Sequence, residues 1–280
     1  MGRSLNTYPD DVFLVSYPKS GNTWLRFLIG NLAHPETEVS FANIESIVPS
    51  IYVNHERSLS RLPRPRILKS HESFVPWYGR IIYAVRDPRD ICVSYYHYQI
   101  KYRELPEHGS LERFVPQFLR GEIDRQYGHW GDHVMSWLAM RKESPNFIVL
   151  RYEDLLANPQ AELARVASLL RIPTTPESLE RAISLSSADR MRELEKLQSH
   201  LWISTRKSRQ DLPFVRSARA GDWKEALAPR WVFQIEAAWG KAMQLLGYEL
   251  TSCSTESSKE DLTARCAPRT VGAPAGRAGR

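Results

Sequence analysis

Short apolar runs recur along the chain at 12–17, 66–69, 81–85 and 147–152, each ending in turn-forming or charged residues. Runs of this length suit strands, and apolar runs without alternation suit strands buried on both faces. Longer segments carry apolar residues at helical spacing: 22–33, 90–103, 111–119, 131–142, 160–170 and 230–246. Pro229 precedes the last of these, and Gly247 follows it as a stop. Strands that alternate with helices predict an α/β fold, with a central parallel sheet and helices on both faces. No internal repeat is visible. The pattern fades at the end of the chain, where residues 251–280 are small, polar and broken by Gly and Pro. Such a stretch lacks the apolar surface to offset its ordering entropy. The expectation is a single domain over 1–250 and a disordered C-terminal tail over 251–280.

Composition narrows the partners. Of 280 residues, 42% are hydrophobic and 10% aromatic, enough for a sizeable core. The formal net charge of +6 is mild for this length. It suits a small anionic ligand better than a nucleic-acid groove, which shows a dense basic stripe, so no nucleic-acid partner is expected. The cysteines are Cys92, Cys253 and Cys266, without the spacing of a metal site. That predicts a reducing compartment, no disulfide framework and no metal requirement. The start of the chain is polar and no apolar run approaches the length of a membrane span. No signal peptide and no membrane partner are expected, which points to the cytoplasm.

The chemistry concentrates just beyond the predicted strands, where ligands bind in open parallel sheets. The first stretch is Tyr17-Pro18-Lys19-Ser20-Gly21-Asn22-Thr23-Trp24, between a predicted strand and a predicted helix. A Gly-containing loop at a helix start offers free N–H groups and a positive dipole end, and so favours an anion. Lys19 adds a point charge, and Ser20 and Thr23 add hydroxyl donors. The Walker pattern G-x-x-x-x-G-K-[ST] is absent, so the loop is only P-loop-like. Read alone, it could equally be an ordinary strand–helix turn with a surface Lys.

Three further stretches follow. In Leu68-Lys69-Ser70-His71-Glu72, an extended backbone puts Lys69 and His71 on one face. A neighbouring Lys disfavours protonated His, which leaves a neutral base. In Val85-Arg86-Asp87-Pro88-Arg89-Asp90, Pro88 fixes the turn and Asp90 is positioned to cap the next helix. Arg86 at the strand end and Ser94 one turn into that helix could grip a second phosphate. The third stretch, 215–224, holds Arg216, Arg219, Gly221 and Lys224 and suits a loop over a polyanion. The plain alternatives are a surface His, an Arg–Asp pair at a helix start and a solvated basic loop.

Taken together, these stretches resemble the soluble, cytosolic-type branch of the sulfotransferases that use 3′-phosphoadenosine-5′-phosphosulfate (PAPS). Pro18 to Trp24 looks like the family's phosphosulfate-binding loop, and Arg86 to Ser94, continuing Tyr95-Tyr96-His97, like its 3′-phosphate motif. Gly221-Asp222-Trp223-Lys224 looks like the close of its C-terminal basic motif, and the resemblance spans about residues 10–250. It implies sulfuryl transfer from PAPS to a hydroxyl, or less readily an amine, of a small-molecule acceptor, leaving adenosine 3′,5′-bisphosphate (PAP) and needing no metal.

By position, the resemblance assigns catalysis to His71 as base, helped by Lys69, with Lys19 on the bridging oxygen. Ser20, Gly21, Asn22 and Thr23 would hold the 5′-phosphate, Trp24 would stack on adenine, and Tyr152 would meet its edge. Arg86, Ser94 and Arg216 would bind the 3′-phosphate, and Ser186 would also reach the nucleotide. Two positions depart from the family pattern. Arg216-Ser217-Ala218 stands where Arg-Lys-Gly is usual, so that Arg219 would substitute for the missing cation, and Ala188 stands where many members place a second stacking aromatic. The rival readings are a nucleotide-dependent kinase and a catalytically silent nucleotide-binding module.

The acceptor side is less legible. Phe74, Trp77, Tyr78, Trp130 and Trp137 are candidate walls, with core packing the simpler reading. The segment 199–220 carries Arg206, Lys207, Arg209, Arg216 and Arg219. Mutual repulsion predicts a loop that orders only when a polyanion arrives.

Overall fold

A computed structural model describes residues 5–251. The tail expected to be disordered lies, beyond Thr251, outside the described residues. From the N-terminus run β1 (Val12–Ser16), α1 (Asn22–Ala33), the short α2 (Ile44–Ile47) and α3 (Glu56–Leu59), β2 (Ile67–Ser70) and β3 (Arg80–Val85). Next come α4 (Pro88–Lys101), α5 (Leu111–Leu119), α6 (Trp130–Arg141), β4 (Phe147–Arg151), α7 (Tyr152–Ala157) and α8 (Pro159–Leu170). The chain continues through α9 (Pro176–Leu185), α10 (Ala188–Gln198), α11 (Trp223–Ala226) and α12 (Pro229–Leu245).

The strands form one parallel sheet in the order β2-β1-β3-β4. Val12 lies beside both Ile67 and Arg80, and Ile81 lies beside Phe147. Side chains alternate between the two faces of a strand. Phe13, Val15, Ile81 and Tyr83 therefore join a core with residues of α4, α5, α6 and α12. Val12, Leu14, Ile82 and Ala84 join a second core with residues of α1, α8 and α9. The predicted α/β architecture, with helices on both faces, is thus observed. Because every strand runs the same way, the segments after Ser16, Ser70, Val85 and Arg151 leave from one edge of the sheet.

The structure corrects two readings and decides a third. The first concerns α4, which begins at Pro88, with Asp87 as its N-cap accepting from the Arg89 amide at 2.9 Å. Proline suits the first helical position, since its missing N–H would have no partner there anyway. Asp90 is therefore not a cap: its carboxylate accepts the amides of Gly221 at 2.7 Å and Trp223 at 3.0 Å. The second concerns α9 and α10, which were not predicted. Thr175 and Ser178 cap α9 reciprocally, and Ser187 caps α10. The third concerns the candidate acceptor walls. Trp130 and Trp137 are fully buried, Tyr78 stacks on Phe13 with centroids 3.5 Å apart, and Phe74 meets Trp137 edge-on. Trp77 points outward and is 59% exposed. Core packing accounts for all of them but Trp77.

Candidate active site

A cavity of about 420 Å³ opens at the carboxyl edge of the sheet. Its wall brings together Lys19, Gly21, Asn22, Thr23, Trp24, Lys69, His71, Arg86, Ser94, Tyr152 and Arg216. Residues from distant parts of the sequence thus meet because parallel strands end together.

The loop after β1 is held in an unusual shape. Lys19 has φ 70° and Gly21 φ 84°, both left-handed. For a residue with a Cβ this conformation costs about 1–2 kcal/mol, and such strain persists where the surroundings enforce it. At Gly21 an added Cβ would lie 2.6 Å from the Tyr152 ring, so only glycine fits. Gly21 precedes α1 without any side-chain cap, which leaves the first amides of the helix open to an anion. Ser20 Oγ is buried with no partner among the described residues. A buried unpartnered hydroxyl is costly unless a ligand satisfies it.

Asn22 ties this loop to the base. Its Nδ2 donates to Ser16 Oγ at 3.1 Å, and the Ser16 carbonyl lies 2.7 Å from His71 Nδ1. A carbonyl only accepts, so His71 Nδ1 carries the proton and Nε2 keeps its lone pair. Tyr52 accepts the His71 amide at 2.7 Å, and His133 Nε2 donates to the His71 carbonyl at 3.1 Å. His133 is itself fixed by the Tyr83 hydroxyl at 2.8 Å. Burial, with Lys69 beside it, holds His71 well below the usual imidazole range. It is therefore neutral near pH 7.

The cations destabilise one another in this protein without its ligands. Burial, then Arg86, Arg216 and Lys101, bring Lys19 down to about 7. Burial and Arg26 bring Lys69 down to about 7 as well, against the pull of Glu45. Lys19 Nζ lies over the Tyr98 ring at 4.1 Å, and Lys69 Nζ over the Tyr52 ring at 4.9 Å. Excess positive charge with unpartnered donors fits a polyanion.

The second anchor forms around Arg86. Its guanidinium lies 4.3 Å from the Tyr152 ring centroid and donates to the Arg219 carbonyl at 2.9 Å. Arg216 donates to Asp222 at 2.6 Å, and Ser217 donates to the same carboxylate. Ala218 holds φ 53°, a conformation in which glycine would be unstrained. Ala188 lines the cavity, leaving Trp24 there with the Tyr152 ring edge-on to it at 73°, centroids 5.6 Å apart.

Three expected residues, Ser20, Ser186 and Arg219, do not line the cavity. Ser186 is fully buried behind Trp24: its carbonyl accepts Trp24 Nε1 at 3.0 Å, and its hydroxyl accepts Asn31 Nδ2 at 3.0 Å. It positions the indole instead. The Arg219 side chain is 72% exposed and paired with Asp222, so only its carbonyl serves the site, through Arg86.

The 199–220 segment is also more firmly held than its charge suggests. Lys101 donates to the carbonyls of Arg209 and Leu212, and Glu195 accepts the amides of Phe214 and Val215. Arg209 is paired with Glu107 and Asp211. Carboxylates neutralise Arg209, Arg216 and Arg219, so repulsion among these three does not hold the loop open. The loop at 41–62, expected near the pocket, brings Tyr52 to its wall, whereas sequence reasoning missed Asp124, Tyr127 and His133. They lie outside the recognisable motifs; the fold carries Tyr127 and His133 to His71 and Asp124 to the same cavity.

A parallel sheet with a phosphate-type loop, a second anion anchor and a neutral His defines a group-transfer enzyme acting on a nucleotide-linked anion. The profile of the family described as "Sulfotransferase domain" matches residues 9–247, and the chain belongs to that family. It is 31% identical to Sulfotransferase 1B1 of Mus musculus over 262 residues, covering 88% of this chain and 86% of the relative. It is 32% identical to 3-beta-hydroxysteroid sulfotransferase of Cavia porcellus over 228 residues, covering 77% of each. The crystal structure of mouse sulfotransferase SULT7A1 complexed with PAP superposes with a TM-score of 0.68 at 26% identity, covering 85% of this chain and 86% of that one. The chain is a PAPS-dependent sulfotransferase, an enzyme that transfers a sulfuryl group to a hydroxyl acceptor. Among the described residues no helix is long and apolar enough to cross a membrane.

Proposed function

We propose that His71 is the general base of this transfer and that Lys19 stabilises the departing phosphate. Sulfuryl transfer is an in-line displacement akin to phosphoryl transfer. The acceptor oxygen forms a bond to sulfur while its proton passes to His71 Nε2. The bond from sulfur to the bridging oxygen breaks, and PAP leaves with the electron pair. Lys19 offsets the charge growing on that oxygen, and Lys69 that on the sulfuryl oxygens. The amides and hydroxyls of Ser20 to Thr23 hold the 5′-phosphate, Arg86, Ser94 and Arg216 the 3′-phosphate, and Trp24 the adenine.

One observation carries this reading: the Ser16 carbonyl fixes the His71 tautomer, so its basic nitrogen is free in the same cavity that holds Lys19 and Arg86. Cytoplasmic residence belongs to the same proposal, on the ground that the three cysteines show neither a disulfide framework nor metal spacing in the sequence. Residues 1–250 would act as one domain. A panel of phenols, alcohols, sugars and amines incubated with sulfate-labelled PAPS tests the function. Label should appear on one hydroxyl class and persist in EDTA, whereas a magnesium-dependent kinase would stop. Tight PAP binding with no labelled product from any class would instead favour a silent binding module.

Two predictions follow from the anion anchors. Arg86→Ala should weaken PAP by about 1.5–3 kcal/mol, the range for a bond to a charged group. Adenosine 5′-phosphosulfate, which has no 3′-phosphate, should weaken much less. Calorimetry on both ligands checks this, and equal losses would place Arg86 elsewhere.

The second prediction concerns pH. Lys19 and Lys69 titrate near 7 in the free protein, protonated below and neutral above. PAP selects the protonated forms, so its affinity should fall as pH rises through 7. From pH 6 to 8.5 the PAP Kd should rise at least about tenfold, since one linked proton contributes up to tenfold per pH unit. Lys19→Arg should flatten that rise. A flat wild-type profile would mean that neither lysine meets the ligand.

A further inference from the structure

β2 ends at Ser70, one residue short of the proposed base, so the sheet ladder does not hold His71. Its ring, amide and carbonyl are each fixed from elsewhere. The Ser16 carbonyl takes the ring proton, the Tyr52 hydroxyl accepts the amide, and His133 Nε2 donates to the carbonyl at 3.1 Å. His133 stands on α6, and two neighbours on the same helix grip the same segment. Trp137 Nε1 donates to the Glu72 carbonyl at 3.0 Å, and Ser136 Oγ accepts the Phe74 amide at 3.1 Å. Positions three and four apart share one face of a helix. One face of α6 therefore clamps the backbone that carries the base.

His133 is fully buried and does not line the cavity, so it acts through what it bonds. A carbonyl only accepts, which puts the His133 proton on Nε2. Its Nδ1 then accepts the Tyr83 hydroxyl at 2.8 Å. Burial brings the ring down to about 4, and it is neutral near pH 7. Packing alone does not call for an imidazole here, because an apolar ring could fill the same space. Such a ring would leave the His71 carbonyl and the Tyr83 hydroxyl without these partners, and unmade bonds to buried groups are costly.

We propose that His133 is a positioning residue for sulfuryl transfer: its bond to the His71 carbonyl aims the basic nitrogen of His71 at the acceptor oxygen. Tyr83 acts one step back, by holding His133 in the tautomer that can donate there. The inference rests on the reading of His71 as base and adds the residue that orients it.

Two amide substitutions separate orientation from packing. Both side chains can donate, but Gln carries its nitrogen to the place of imidazole Nε2, whereas Asn stops near that of Nδ1. His133→Gln should keep the single-turnover rate within about threefold of wild type, and His133→Asn should lower it by about tenfold or more, since misplacing a reacting group by about 1 Å can cost about 10²-fold. PAP affinity should stay close to wild type in both, because neither touches the anion anchors, and melting temperature reports folding. Equal rates in the two variants, or parallel losses in rate and PAP affinity, overturn the inference. Nitrogen-15 spectra of the wild-type histidines give a check that needs no variant. His133 should carry its proton on Nε2 and stay neutral at about pH 6, below the ordinary imidazole value. A proton on Nδ1 instead would overturn the inference. A slow His71→Ala beside an unimpaired His133→Asn sinks this inference alone, whereas near wild-type turnover in His71→Ala sinks the base reading as well.

Discussion

His71→Ala should lower kcat by about 10²–10⁴-fold, the contribution of one positioned base, with the PAP Kd changed less than about threefold. The split follows from where the ring sits. His71 is bonded to the Ser16 carbonyl and the Tyr52 hydroxyl, not to the loop amides that would hold phosphate. Removing it strands the acceptor proton but leaves the anion anchors intact. The acid limb of kcat/KM should also lie well below the ordinary imidazole range, because burial and Lys69 keep the ring neutral. A variant that keeps near wild-type turnover across pH would remove His71 from the reaction. Parallel losses in turnover and PAP affinity would make it a structural residue instead.

Lys19→Ala should cut turnover by about 10²–10³-fold, the scale of losing one donor to a developing charge, and weaken PAP by a much smaller factor. The charge on the bridging oxygen grows only as sulfur departs, so an interaction with it appears in kcat more than in binding. The geometry supports a dedicated role. Lys19 sits in a left-handed backbone conformation, held between the Tyr98 and Phe214 rings. A side chain that only supplied charge would not need that strain. Comparing the loss in kcat with the loss in PAP affinity by calorimetry decides the matter, and equal losses would make Lys19 a binding residue only.

The parts of this molecule that were legible in the sequence are those where one short segment carries its own physics. The loop at 17–24 reads as an anion site because Gly21, Lys19 and a following helix stand together. β1, β3 and β4 are readable because they are nearly unbroken apolar runs, whereas β2 is short and half polar. What escaped reading depends on tertiary contact. Asp90 looks like a helix cap in sequence, yet Asp87 caps α4 and Asp90 holds the Gly221 loop. Ser186 bears on the cavity only by way of Trp24. For the large aromatics core packing was the simpler reading, and Trp130 and Trp137 do fill the core. Tyr52, Asp124 and Tyr127, which line the cavity, come from loops and carry no local pattern. The start of α9 was readable in Thr175-Pro176-Glu177-Ser178, a helix start that the sequence shows and the prediction passed over.

The most direct test of the account is a single-turnover reaction with sulfate-labelled PAPS, following label on acceptor and PAP released in the same sample. The account predicts one labelled acceptor per PAP with wild-type enzyme, and the same products at a rate about 10²–10⁴-fold lower with His71→Ala. PAP released without labelled acceptor, or equal rates from the two proteins, would contradict sulfuryl transfer by His71 in this cavity.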